Sequence, residues 1–180
     1  MFKSYLHGKV AAMERAFGYD ARYIHEMLDA STAAFLKFGL FQPMSAHCDG
    51  VAREAWFAAK LAAAMSEDCG PCAQLMVDMA LKAGVDAEII AALVGGDWER
   101  AGADAAFGYR YGLAVATNAP EAVALSAEAQ ARYGRRGLVS LALGVASARV
   151  YPALKRGLGH GAACRKLVVA GDTIAVGQAA

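Results

Sequence analysis

Cys69 and Cys72 are the residues of this sequence best suited to chemistry. They stand in Ser66-Glu67-Asp68-Cys69-Gly70-Pro71-Cys72-Ala73, where one helical pattern stops and another begins. Upstream, Val51 to Met65 is rich in alanine, with Trp56, Phe57, Leu61 and Met65 as its bulky residues. Downstream, Pro71 to Ala83 carries Leu75, Val77, Met79 and Leu81. Pro71 suits a first helical turn, where its missing N–H has no intrahelical partner to lose. Gly84 suits the position just past the end of that second helix. The sulfurs are thereby placed at a helix N-terminus, whose unpaired N–H groups and positive dipole end favour a thiolate. A thiol of lowered pKa is a nucleophile near neutral pH. Two such thiols, separated by two residues, can close a disulfide and reopen it.

A thiol of this kind needs a proton acceptor. Glu67 and Asp68 adjoin the pair, Glu54 lies on the helix before it, and His47 sits in a loop further upstream. Two other readings of the pair stay open. Free cysteine packs as a small hydrophobe, so both could be buried filler at a helix junction. Cys69 and Cys72 also have zinc spacing, and His47 with Cys48 would complete four ligands. Adjacent ligands are awkward, however, and there is no second Cys-x-x-Cys, so no metal is expected. Gly157, Gly159 and Gly161 lack a preceding strand and do not form a nucleotide loop, and no cofactor is expected. Cys48 and Cys164 read as single thiols, His7 and His25 as solvated, and His160 as a loop residue. Tyr109-Arg110-Tyr111 and Trp98 read as packing or subunit contacts, and Glu54 beside Arg53 also reads as a surface ion pair.

The elements that position the pair are helical. Phe2, Leu6, Val10, Met13 and Phe17 recur at three and four, an amphipathic helix that Gly18 ends. Asp20 is expected to cap a second helix running to Leu36 or Phe38, with Gly39 and Pro43 marking its exit. Ser45 to Gly50 reads as a loop. After Gly84, Asp86 is expected to cap a short helix that Gly95-Gly96 breaks. Ala105 to Thr117 is helical, Asn118-Ala119-Pro120 is a break, and Glu121 to Tyr133 is a further helix ended by Gly134. Arg136 to Lys155 is a long apolar helix with Pro152 as a late kink or stop. Leu167-Val168-Val169 reads as a short strand or extended tail, with fraying beyond Gly171. The expected fold is all-α, a single domain over residues 1–180 with seven to eight helices. Within it, 1–50 forms an N-terminal helical hairpin extension, 51–158 the core, and 159–180 a loose tail.

Composition sets the bounds. The chain of 180 residues suits one domain with a sizeable core. Apolar residues make up 57%, more than one small domain readily hides, which favours an oligomer. A net charge of +1 gives no reason to expect nucleic acid or an anionic membrane as partner. The start lacks the pattern of a signal peptide, and the apolar stretch Leu138 to Ala148 is shorter than the roughly 20 residues of a membrane span. The expected location is cytoplasmic, where a Cys-x-x-Cys is more often redox-active or metal-binding than structural.

Cys69-Gly70-Pro71-Cys72 spells the tetrapeptide of thioredoxin, but a helix leads into it here, with no surrounding βαβ pattern. The context instead resembles the AhpD-like and carboxymuconolactone decarboxylase superfamily. The resemblance lies in the helix before the Cys-x-x-Cys and in the helix ending Met79-Ala80-Leu81-Lys82-Ala83-Gly84-Val85. Asp86-Ala87-Glu88-Ile89-Ile90 follows in the same cadence. It continues through Gly95-Gly96-Asp97, Asn118-Ala119-Pro120, Tyr133-Gly134 and the apolar helix Leu138 to Leu154, and covers residues 52 to 158. The resemblance implies an all-α, oligomeric dithiol–disulfide oxidoreductase with alkylhydroperoxidase-like activity. Helix-terminus physics favours Cys69 as the attacking thiolate; the resemblance implies instead that Cys72 attacks a hydroperoxide with Cys69 as its partner, and that a lipoylated or thioredoxin-like dithiol protein resets the pair. The family's redox motif has a glutamate twelve positions before the first cysteine and a histidine four after the second. This sequence has Phe57 and Met76 there. Glu54, Glu67 or Asp68 would then take the thiol proton, and His47 or water would replace the imidazole. The alternatives are a decarboxylase-like member without redox chemistry and a non-catalytic member of the fold.

Overall fold

The computed structural model describes residues 1–161 and 166–177. Its axis is α5 (Arg53–Ser66), in which every position from Ala55 to Ala64 is buried. Alanine makes this possible, since its small side chain admits neighbours on all sides while its propensity keeps the segment helical. The tightest neighbour is α8 (Ala103–Thr117). Gly108 and Gly112, one turn apart, lie against the backbone of Ala55 and Ala59, and a Cβ on either glycine would collide with the facing carbonyl.

Two further helices flank this pair. α6 (Gly70–Lys82) turns back along α5 and is followed by α7 (Ala87–Gly95), whose cap is Asp86, accepting a bond of 2.8 Å from the Glu88 N–H. α9 (Ala122–Gly157) contains both expected C-terminal helices. They meet at Gly134 (φ 67, ψ −178), where the backbone leaves the helical region and only glycine is unstrained. Pro152 does not stop α9, which runs on to Gly157. A proline so near the end of a helix forfeits a single bond, the one to the Ala148 carbonyl. Among the described residues α9 is the one helix long and apolar enough to cross a bilayer. Its Leu141, Val145 and Ala148 nevertheless pack into the core with Ala59, Ala63, Phe107 and Tyr111.

The N-terminal region differs from a simple hairpin. α1 (Phe2–Phe17) ends at Gly18 as expected, but the second helix is divided into α2 (Arg22–Ala30) and α3 (Thr32–Gly39). Ser31 divides them: its backbone is extended and its Oγ accepts the Ala34 N–H at 3.1 Å, so it caps α3 instead of continuing α2. Asp20 lies one residue before the cap of α2, bonded to the Arg22 N–H. A single helical turn, α4 (Gln42–Ser45), occupies the end of the expected exit and the first residue of the expected loop. The described residues thus hold eight helices and this four-residue turn.

The tail is more ordered than expected. Lys166–Val169 (β1) and Asp172–Ala175 (β2) pair antiparallel through a two-residue turn, Ala170 and Gly171, both at positive φ. That is the geometry hairpin twist favours. Leu167 and Val169 are buried in the core, and the Gln74 side chain bonds both the N–H and the carbonyl of Val168, at 2.7 and 2.8 Å. Strand alternation over so short a stretch was enough because α6 supplies the missing partner. Cys164 lies outside the described residues.

The α5–α8 contact gives the first expectation. Gly108→Ala and Gly112→Ala should each lower stability by about 1–3 kcal/mol or more in urea denaturation. Gly157→Ala, with open space around its position, should stay within about 0.5 kcal/mol of the parent.

Candidate functional site

The cysteine turn is built by three residues after α5. Glu67 ends the helix, and Asp68 then adopts the left-handed conformation (φ 48) that reverses the chain. Aspartate is among the few non-glycine residues that visit this region readily. Cys69 is extended and forms the N-cap of α6, with Gly70, Pro71 and Cys72 as its first three positions. The two sulfurs are paired, their Cα atoms 5.3 Å apart, and both residues are buried. An N-cap side chain ordinarily meets the N–H of the second or third helical position. Pro71 has no N–H, so once the pair is reduced the Cys72 amide is the donor left for the Cys69 sulfur.

The two cysteines face different surroundings. Cys72 lines a cavity of about 350 Å³, and Cys69 does not. α6 contributes Cys72, Leu75, Met76 and Met79 to the floor, α5 contributes Ala64, and α9 contributes Ala148 and Tyr151. The N-terminal segments make the roof, with Val10, Met13, Phe17, Ile24, Phe35 and Phe38 among its apolar residues. The N-terminal region is therefore part of the site and not an appendage to it. Met76, one turn after Cys72, adds thioether surface to the floor.

Of the four expected proton acceptors, Glu54 and His47 lie away from the sulfurs, while Glu67 and Asp68 stay at the cysteine turn. Glu54 is in the first turn of α5, and the twelve residues to Ser66 span about 18 Å of helix. Its neighbour Arg53 bonds the Ala83 carbonyl at 2.6 Å, which fixes that end of α5 beside the far end of α6. His47 is exposed, in a loop anchored where Ser140 bonds Asp49 and Arg136 pairs with Asp49. The cysteine turn is anchored further along α9, where Arg149 Nε donates to Glu67 at 2.7 Å and Arg156 holds the other oxygen. The nine residues from Ser140 to Arg149 already span roughly 13 Å. Glu67 is close to the cysteines in sequence but is clamped. Burial alone would raise its carboxyl, yet the hydrogen bonds from Arg156 and Arg149 outweigh it and hold the pKa below its usual value. A carboxylate held in that state is a weak base and a strong tether. Asp68 is exposed at the turn itself.

A residue the motifs did not single out is more unusual than any of these. Lys60 is 1% exposed, in the middle of α5. Its Nζ donates to the Ser45 carbonyl at 2.7 Å, lies 3.5 Å from Ser45 Oγ, and sits 4.1 Å from the centre of the Trp56 ring. Burial pushes its pKa down to about 8. One lysine among consecutive apolar residues was the available signal. The nearby Cys48 is exposed as a residue, but partial desolvation of its thiol raises the pKa, offset in part by Arg53 and Lys60.

Three histidines are more engaged than expected. His7 and His25 stack between α1 and α2 with Nδ1 atoms 2.7 Å apart, each reaching a carboxylate, Asp29 and Glu14. His160 bonds Glu26 at 2.8 Å, tying the end of α9 to α2. Among the described residues no group of three or more His, Cys, Asp or Glu is placed to hold a metal ion. Compared with protein-family models, curated proteins and solved structures, the chain matches none of them.

Lys60 gives an expectation for stability. Its folded pKa lies below the ~10.4 of a lysine in an unfolded chain. Between those values the unfolded state binds more protons, so this group makes stability rise with pH from about 8 to about 10. Urea midpoints measured across that range should rise for the parent relative to Lys60→Met, which lacks the titrating group.

Proposed function

We propose that this protein is a dithiol–disulfide oxidoreductase that reduces a hydroperoxide, with Cys72 as the attacking thiol and Cys69 as its partner. The observation that carries the reading is that Cys72 lines a largely apolar cavity while bonded to a cysteine at the N-cap of the same helix. Substrate reaching the cavity meets one sulfur, and the second waits a helical turn away. In the reaction the Cys72 thiolate attacks the peroxide oxygen, the O–O bond breaks, and an alcohol leaves as the sulfur becomes a sulfenic acid. The Cys69 thiol then displaces water from that sulfenic acid to form the disulfide. Two electrons have passed from the thiols to the peroxide, and an external dithiol returns them.

The positive end of α6 supports ionisation of both sulfurs, which occupy its N-cap and third position. The likeness of this region to AhpD-like proteins in the order of its elements supports the same reading, with a lipoylated or thioredoxin-like protein as the reductant and a homo-oligomer as the working form. The helix after the pair has Met76 and not a histidine one turn from Cys72, so thiol deprotonation relies on the helix terminus, on Asp68 beside Cys69 and on water.

Peptide mass spectrometry tests the assignment. Treating the reduced protein with one equivalent of cumene hydroperoxide should remove two hydrogens by joining Cys69 to Cys72. In Cys69→Ser, dimedone should trap a sulfenic acid on Cys72, whereas Cys72→Ser should give no adduct at Cys69. Oxidation of Cys48 with the pair left reduced would contradict the reading.

A further inference from the structure

The wall of the cavity that α4 and α9 share is polar and backed by a buried cation. Ser45 and Tyr151 both line the cavity. Lys60 Nζ approaches Ser45 from behind, donating to its carbonyl at 2.7 Å and lying 3.5 Å from its Oγ. Gln42 Nε2 donates to the Tyr151 hydroxyl at 3.4 Å, and Ser45 acts on the same hydroxyl, lowering its pKa against the effect of burial. Lys60 is the donor to Ser45, and the Gln42 amide is a donor to the Tyr151 oxygen. With its oxygen accepting from Gln42, Tyr151 keeps its own hydrogen to donate. The ring cannot swing, because Phe38 and Phe41 meet it edge-on at 5.4 and 5.9 Å between centres. The other tyrosines of the lining are arranged differently. Tyr19 and Tyr23 bond each other at 3.2 Å, and Lys155 lies over their rings and not against their oxygens.

We propose that Tyr151 is the proton donor to the leaving oxygen of the hydroperoxide, with Ser45 and Lys60 as the positioning residues that orient and recharge it. This rests on the peroxide reading of Cys72 given above. When the Cys72 thiolate attacks, the electron pair of the O–O bond goes to the distal oxygen as an alkoxide. Tyr151 gives that oxygen its proton, Ser45 passes one to Tyr151, and the Lys60 ammonium passes one to Ser45. Lys60 then regains a proton from solvent. Burial raises the pKa of Tyr151 and so keeps it protonated at working pH. It also lowers that of Lys60 to about 8, where an ammonium gives up its proton readily. The charges facing Lys60 are few: Cys48, on the loop after α4, is the ionisable group that acts on it, and Cys48 itself senses Arg53 and Asp49. From α9 the residue set against the Lys60 stem is Gly144, which carries no charge.

The test uses the reduced full chain and two reagents side by side. Cumene hydroperoxide generates an oxygen that must be protonated, and iodoacetamide consumes the same thiolate without generating one. Tyr151→Phe should slow Cys69–Cys72 disulfide formation on the order of 10²-fold and leave alkylation of Cys72 unchanged. The parent's peroxide rate should fall above about pH 8 as Lys60 loses its proton. Lys60→Arg, which keeps a donor at all these pH values, should move that fall upward. Ser45→Ala should slow the peroxide reaction alone. A Tyr151→Phe protein that matches the parent, or loses equally with both reagents, overturns the assignment, as does an unmoved alkaline limb in Lys60→Arg. If the parent's pair is not oxidised by cumene hydroperoxide at all, the peroxide reading fails and this one with it. Thermal melts of each variant separate loss of fold from loss of rate.

Discussion

Backbone contact between α5 and α8, at Gly108 against Ala55 and Gly112 against Ala59, determines where the other elements can lie. Two helices that close leave no room for intervening side chains, so α5 must be alanine on that face. With α6 and α9 on its remaining sides, it must be apolar or small nearly all round. The bulky residues of α5 are then confined to a few positions. Trp56 reaches across to the Ser140 carbonyl at 3.2 Å, and Gly144 leaves space beside Trp56 and Lys60. A lysine so deeply buried in such a helix finds its partners inside. It finds them in Ser45 and the Trp56 ring, and so ties the N-terminal region to the core.

From that axis the site follows by connection. α5 ends where Glu67 is caught between Arg149 and Arg156, and the chain reverses at Asp68 to begin α6 with a cysteine cap. The clamp fixes the turn, the turn fixes the sulfurs, and the direction of α6 aims Cys72 at the space beneath α1–α4. Neither half of the chain makes this cavity alone. The core helices supply the sulfur and the floor, and the N-terminal helices supply a largely aromatic and aliphatic roof. The chemistry and the shape of the chamber thus come from different parts of the sequence.

Much of this was legible in the sequence, and the exceptions share a cause. Helix positions around Cys69–Cys72, the Asp86 cap, the Asn118 break and the bend at Gly134 all depend on local backbone chemistry, which short stretches of sequence carry. The division at Ser31 was also local, but a single serine within an otherwise periodic run was outweighed by the periodicity. Contacts made across the fold were not legible. Glu67 looked like a base beside the thiols because its arginines are more than eighty residues away. Leu167–Val169 could be read only as a short strand or an extended tail because its support is Gln74, more than ninety residues earlier. Glu54 and His47 were grouped with the cysteines by sequence distance, and helix length places them elsewhere. Gly108 and Gly112 sat unremarked around Tyr109-Arg110-Tyr111, although their spacing of four was a sign of close helix approach.

The opposing picture is an inert pair, two sulfurs joined once and walled in. Equilibration of the folded protein in graded mixtures of reduced and oxidised glutathione, with each cysteine followed by alkylation and mass spectrometry, decides between them. A redox-active pair gives one two-electron transition confined to Cys69 and Cys72, reached from both directions, with the fold intact throughout. A pair that stays in one state across the whole series, or changes only when the protein unfolds, would contradict the account.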